Sequence, residues 1–453
     1  MGTRQHGPFS RPGAIRAGGR LIGPLAAAAL FLGSCASTNH YRKIDEAAAQ
    51  GRYEESVAAL EQNKNKLYRD KDVILFYLDK GLLTHYAGEW DDSIELLQDG
   101  ERAIEEAYTK SITMEIGSYI LNDTTREYPG EDYEDIYINT FNALNYYHKG
   151  SLEEAMVEVR RMGNKLRFLA SKYGVVASNL QKKALEDSAE IPPNEEIGSV
   201  QFNDSALARY LGLLFYRAAG QEDDARIDRD GLKIAFANAP RVYAYPVPQS
   251  IDEDLEIPPG KARLNVIAFS GLSPIKEQQD LRIPIPGPRY IKIALPVMTY
   301  RPSQVGRIEV ALNTGARFDL ELLEDIEAVA RETFKEREKL IYMKSIIRGT
   351  VKGVASAAMG IAGEQVDGTA GLILSLASIG TQVAAEASEQ ADLRISRYFP
   401  AKAYVGGITL EPGMYTITVN YYGRNGGILA SYTDESVLIQ EKALNLWEAL
   451  CIR

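Results

Sequence analysis

Four stretches of the chain repeat one local pattern: Gly51-Arg52-Tyr53-Glu54-Glu55-Ser56, Gly88-Glu89-Trp90-Asp91-Asp92-Ser93, Gly150-Ser151-Leu152-Glu153-Glu154-Ala155 and Gly220-Gln221-Glu222-Asp223-Asp224-Ala225. Glycine permits the left-handed turn that joins two helices. The acids that follow fall in the first turn of the second helix, where the peptide dipoles favour negative charge. The small Ser or Ala lets that helix approach its partner closely. Apolar residues continue at helical spacing beyond it, as in Ile94 and Leu97 or Ala155, Val159 and Met162. The pattern predicts four helical hairpins over residues 35–240.

These hairpins resemble the tetratricopeptide repeat. Their glycines are 37, 62 and 70 residues apart, against a repeat of about 34 in that family. The longer gaps therefore carry inserted segments. Loops are expected from Asn122 to Asp135, around Tyr128-Pro129-Gly130, and from Glu190 to Glu196, around Pro192-Pro193. Arrays of this kind hold extended peptides or other proteins in a concave groove.

From Pro240 the pattern changes. Residues 241–260 are rich in Pro and acids and read as a linker. Strand-like runs follow at Arg263–Phe269, Leu281–Ile285, Tyr290–Leu295, Arg307–Leu312, Ala403–Leu410, Met414–Tyr422 and Ile428–Tyr432. Thr416, Thr418 and Asn420 alternate with Ile417, Val419 and Tyr421, as in a half-buried strand. Residues 318–396 read as a helical insertion, with Leu322, Ile326, Val329, Ala330 and Thr333 at helical spacing. Gly353 to Ala385 is rich in small residues and predicts a buried helical hairpin. The expected fold is α+β and multidomain: a tetratricopeptide-like helical array, then a β-sandwich-like domain over 261–453 with that insertion.

The N-terminus constrains location. Arg4, Arg11, Arg16 and Arg20 precede the apolar run Leu21–Leu32, which is too short to span a bilayer of about 30 Å. Residues 1–34 read as a secretory signal. Leu32-Gly33-Ser34-Cys35 is similar to a bacterial lipobox, in which the Cys35 thiol is alkylated by diacylglycerol and becomes the new N-terminus. Each buried acyl methylene contributes about 0.8 kcal/mol, so a dually acylated Cys35 anchors stably. Ala36 after the cysteine, by resemblance to lipoproteins of two-membrane bacteria, implies the outer membrane, facing the periplasm.

The net charge is −11, from 51 basic and 62 acidic residues, and cleavage before Cys35 takes it to −15 by removing the four arginines. So acidic a chain does not suit nucleic acid, which needs a basic face. Two cysteines and four histidines leave little for a metal site. Asp228-Arg229-Asp230-Gly231 lacks the ligands of a calcium loop, because Arg226 and Ala237 occupy positions that need carboxylates. Ser273-Pro274-Ile275-Lys276 has serine–lysine spacing but lies between strands instead of opening a helix. His85 and His148, at the ends of first helices of their hairpins, read as packing or capping residues.

Tyr128-Pro129-Gly130-Glu131-Asp132-Tyr133-Glu134, Asn142-Ala143-Leu144-Asn145-Tyr146-Tyr147, Glu158-Val159-Arg160-Arg161, Gly271-Leu272-Ser273-Pro274 and the stretch from Asp392-Leu393-Arg394 to Pro400 resemble a family of bacterial tetratricopeptide-type envelope lipoproteins. The resemblance implies a lipid-anchored envelope protein and brings no activity. The expected function is a non-enzymatic protein-interaction scaffold without cofactor or metal. Candidate partner-binding residues are Glu131, Glu134, Tyr146, Tyr147, Arg160 and Arg161, with Cys35 as the lipid site and an envelope protein as partner. The alternative is an accessory subunit of an envelope export or assembly complex whose Gly353–Ala385 hairpin contacts a membrane or pore.

Overall fold

The computed structural model describes residues 41–118, 123–186, 200, 202–285, 289–364 and 390–453. The signal segment, Cys35, the Glu190–Glu196 loop and the whole Gly368–Ala385 run lie outside the described residues. The described chain is α+β, with ten helices concentrated in the N-terminal half and three sheets in the C-terminal half.

The helical half is built from four hairpins. They are α1 (41–49) with α2 (Tyr53–Leu67), α3 (Val73–Tyr86) with α4 (Trp90–Ser118), α5 (Asp132–His148) with α6 (Leu152–Glu186), and α7 (Ala206–Ala218) with α8 (Glu222–Asn238). Each turn holds one of the four predicted glycines, at φ +73° for Gly51, +79° for Gly88, +76° for Gly150 and +71° for Gly220. The small residue does the same work each time. Ser56 Oγ donates to Ile44 O at 3.2 Å, and Ser93 Oγ donates to Gly81 O at 2.8 Å. Ala155 and Ala225 are fully buried at the matching positions.

A short helix α9 (Ser250–Glu253) leads to the strands β1 (Ala262–Ser270), β2 (Ile275–Ile285), β3 (Arg289–Thr299), β4 (Val305–Leu312), β5 (Arg317–Asp319) and β6 (Glu321–Asp325). Helix α10 (Ile326–Glu364) follows, and after it β7 (Lys402–Leu410), β8 (Gly413–Gly423), β9 (Ile428–Ile439) and β10 (Asn445–Cys451). One sheet has the order β10-β1-β7-β6, with β10 parallel to β1; a second has the order β5-β4-β8-β9; β2 and β3 pair alone.

Strand β1 is buried along its whole length because both its faces meet apolar surface. Leu264, Val266 and Ala268 join Ile308, Val310, Ile417 and Val419 of the second sheet in one apolar cluster. Ile267 and Phe269 join the helices in the other. The first sheet is thus the middle layer between helices and second sheet.

The helical reading of residues 318–396 needs correction at both of its described ends, since residues 390–396 are neither helix nor strand. Phe318 to Asp325 is not helical: it forms β5 and β6, and β6 pairs with β7 from Glu321↔Val405 to Asp325↔Lys402. The helix begins only at Ile326, where Asp325 Oδ1 accepts from Ala328 N at 2.9 Å. The 241–260 stretch does connect helices to strands, but it is packed instead of free. Tyr243 and Ile251 are buried, and the Tyr243 hydroxyl donates to Glu324 at 2.7 Å. In the Asn122–Asp135 stretch, residues 127–130 are irregular, while α5 has already begun at Asp132.

Candidate functional site

Residues 390–401 form neither helix nor strand, yet Ser396, Tyr398 and Phe399 are fully buried. Their polar groups are met by side chains of the helical hairpins. Asp79 of α3 accepts from Ser396 Oγ and Arg397 N, each at 2.7 Å, and from the Tyr68 hydroxyl at 2.8 Å. Arg397 and the Tyr398 hydroxyl both reach Asp45 of α1. Arg394 pairs with Asp392 and Asp72 and donates to the carbonyls of Arg126 and Asp123. Burial alone would make Arg394 easier to deprotonate, but the two carboxylates outweigh it and hold the guanidinium firmly charged. Thus an extended segment of the chain itself lies against the helices, recognised through main-chain and side-chain polar groups as a bound peptide would be.

At the start of α5 a reciprocal cap joins Glu131 and Glu134. Glu134 accepts from Glu131 N at 2.8 Å, the Tyr128 hydroxyl at 2.7 Å and Ser396 N at 2.6 Å. Burial, and then the Glu131 charge beside it, push its carboxyl up to about 7. Glu131 pairs with the buried Lys276 of β2 and with Arg337 of α10. A similar junction surrounds Glu324 of β6, which accepts from Ser205 Oγ at 2.7 Å, Tyr243 at 2.7 Å, Leu207 N at 3.1 Å and Tyr137. Burial raises its carboxyl above the usual range despite these donors.

The two histidines meet on one carboxylate. Glu448 of β10 lies 2.9 Å from His85 Nε2 and 2.8 Å from His148 Nε2, through different oxygens. Trp90 stacks on His148 with ring centroids 4.3 Å apart. Burial acts to raise the Glu448 carboxyl, but the two imidazoles outweigh it and hold it well below the usual carboxylate range. The sequence placed both histidines at helix ends but held no sign of Glu448, which is the single charged residue of β10.

The predicted partner-binding residues separate into two groups. Glu131 and Glu134 are buried and bonded within the chain, so they are not a surface for a partner; their partners Lys276 and Ser396 lie far along the sequence. Tyr147 also turns inward: its hydroxyl donates to the Leu444 and Leu446 carbonyls at 3.1 Å and accepts from Leu446 N at 3.0 Å. Tyr146, Arg160 and Arg161 lie nearer the surface. Tyr146 accepts from Gln98 at 3.1 Å, Arg160 donates to the Tyr216 hydroxyl at 3.3 Å, and Arg161 pairs with Glu101 and Glu158. Beside them the outer helices expose Val157 and Phe168 on α6 and Ile227 and Ile234 on α8, each at 44% or more.

Lys276 points to Glu131 and the Arg394 carbonyl, and Ser273 Oγ sits 3.2 Å from the Tyr133 hydroxyl, so the two do not form a nucleophile–base pair. Asp228 lies within α8 and pairs with Arg209 at 2.6 Å instead of standing in solvent. Among the described residues no group of three or more His, Cys, Asp or Glu is placed to hold a metal ion. An open cleft of about 1090 Å³ lies among Arg241, Leu281 and Leu295 of the hairpin, and Lys335 and Tyr342 of α10. No described helix is long and apolar enough to cross a membrane. Comparison with family models, curated proteins and solved structures finds no match to this chain.

Proposed function

We propose that this chain is a non-enzymatic, lipid-anchored envelope protein, held through Cys35 at the periplasmic face of the outer membrane, whose helical hairpins are a scaffold for an envelope protein partner. We read the hairpins as tetratricopeptide-like and the two facing sheets as a β-sandwich. The repeated glycine turns with their small packing residue support the first reading, and the apolar cluster shared by β1, β4 and β8 supports the second.

The observation that carries the functional reading is the contrast between the two sides of the helical layer. The inner side is occupied by the chain's own 390–401 segment and first sheet. Away from those contacts Val157 of α6 and Ile227 and Ile234 of α8 are exposed, and Arg160 and Arg161 follow Val157 within about one turn of α6. Ile227 and Ile234, seven positions apart, share one face of α8, and Val157 and Arg161, four apart, share one face of α6. The partner therefore docks on the outer helices, not in an inner groove.

The test has two parts. Fractionation of wild type and Cys35→Ser reports the anchor: release of the variant from the membrane is expected, and its retention would overturn lipid anchoring and favour a membrane contact by the Gly353–Ala385 segment. Photo-crosslinkers at Phe168 and Ile234 report the surface. They are expected to capture one envelope protein that a crosslinker at Thr433, on the exposed face of the second sheet, does not. Equal capture from all three positions would sink the outer-helix scaffold.

A further inference from the structure

A series of hydrogen bonds fixes the state of His85. Ser93 Oγ gives its proton to Gly81 O at 2.8 Å. Its lone pair is left to accept from Asn145 Nδ2 at 2.9 Å, and the same amide nitrogen donates to Asn142 Oδ1 at 3.3 Å. That orientation turns Asn145 Oδ1 toward His85 Nδ1 at 2.7 Å, so Nδ1 carries a hydrogen. On the other side of the ring, Nε2 faces a Glu448 oxygen at 2.9 Å, which is again an acceptor. Only an imidazolium donates from both nitrogens. His148 needs a hydrogen on Nε2 alone to serve the second oxygen at 2.8 Å, so a neutral ring suffices there.

The three side chains come from different layers: His85 ends α3, His148 ends α5, and Glu448 is on β10 at the edge of the first sheet. His85 is buried, packed edge-on against Tyr86, Trp90 and Phe141. Among the described residues, Tyr86 of α3, Tyr147 of α5 and Tyr421 of β8 lie near enough for the Glu448 charge to act on their phenols. Burial raises all three phenols, so they stay neutral.

We propose that His85, Glu448 and His148 form a proton-dependent latch that fastens β10 to the ends of α3 and α5. With its proton, His85 bridges Asn145 and Glu448. Without it, one nitrogen presents a lone pair to an oxygen, and neither acceptor can turn away: Asn145 is pinned through Ser93, and Glu448 is held by His148. The proton is bound when β10 is docked and is not required once it lets go. Docking therefore weakens as pH rises through the titration of the coupled unit.

The experiment uses the full chain in detergent with ¹⁵N-labelled histidine. Long-range ¹⁵N–¹H spectra, with the His85 signals assigned by their loss in His85→Gln, are expected to show both ring nitrogens protonated at about pH 6 and one released toward about pH 8. Over the same span, hydrogen-exchange protection of the β10 amides, corrected for intrinsic exchange, is expected to fall about tenfold, as loss of one protonation-linked contact implies. Glu448→Gln offers an amide that can meet a neutral ring and is expected to remove that dependence. His148→Gln keeps a donor to Glu448 and is expected to retain it. A His85 ring with a single N–H at about pH 6 would overturn the latch, as would β10 protection in Glu448→Gln that follows the wild-type profile. Should Glu448→Gln fail to fold, the wild-type ring spectrum decides alone.

Discussion

At the scale of single residues, the carboxyls carry the clearest consequences. Glu134 and Glu327 are both raised to about 7, in each case first by burial and then by a neighbouring acid, Glu131 or Asp325. A carboxyl raised on folding binds its proton more tightly in the folded chain, so folding stability rises as pH falls from about 7 toward the ordinary carboxylate value near 4.3. For the fully buried Glu134 the shift corresponds to about 3 kcal/mol between the ends of that window. Urea titrations at several pH values should show this rise. Glu327 Oε1 has no hydrogen-bond partner, so Glu327→Gln should raise the urea midpoint at alkaline pH and flatten the slope, whereas an unchanged midpoint would contradict a buried charge there. Glu448 is shifted the other way: on the acid side its stabilisation is present above the ordinary carboxylate range and is lost on strong acidification. Removing the charge partner of buried acids is expected to be more costly. Arg394→Ala removes the ion-pair partner of the mostly buried Asp392 and leaves Asp72 to Arg69 alone, and should destabilise by about 3 kcal/mol in the same assay.

At the scale of elements, the turns offer a clean comparison. A Cβ at Gly150 meets nothing within 4 Å, so Gly150→Ala isolates the cost of its +76° φ, about 1 kcal/mol. At Gly81, inside α3, a Cβ would come 2.8 Å from Leu97 Cδ2 of α4. Alanine gains about 1 kcal/mol of helix propensity over glycine, but overpacking costs about 1–3 kcal/mol. Gly81→Ala is expected to lower the thermal midpoint; a raised midpoint would show that α4 can yield. These elements were legible because their signals are local: glycine, two acids and a small residue lie within six positions, and β1 is one unbroken run. β5 and β6 were not, because Leu322 continues the helical spacing of Ile326 and Val329, while the pairing that makes a strand of it comes from β7 across the sheet. The site was the least legible part. Glu131 and Glu134 looked like surface acids until Lys276 and Ser396 arrived 145 and 262 positions later. Glu448 has no local signature, since its meaning comes from His85, 363 positions away.

At the scale of the whole molecule, helices and first sheet share one apolar cluster that contains Leu78, Phe141 and Leu211 together with Phe269, Leu323, Phe399 and Leu450. Neither half closes its core alone. Thermal unfolding should therefore be a single cooperative transition, and a fragment ending at residue 240 should bind a hydrophobic dye and lack a sharp melt; a fragment with a wild-type-like melt would show that the hairpins are self-sufficient. The position of the 390–401 segment has a consequence in time as well as in energy. A chain emerges from its source N-terminus first. Helices α3 and α1 hold Asp79 and Asp45, and the groups that satisfy them, Ser396 and Arg397, are made 317 and 352 positions later. Arg453 donates to the Ala49 carbonyl 404 positions back. Early helices thus wait, incompletely packed, until those later residues are available. If the chain crosses a membrane as an open strand, as the proposed envelope location requires, that delay would keep the leading half from folding before the trailing half has crossed.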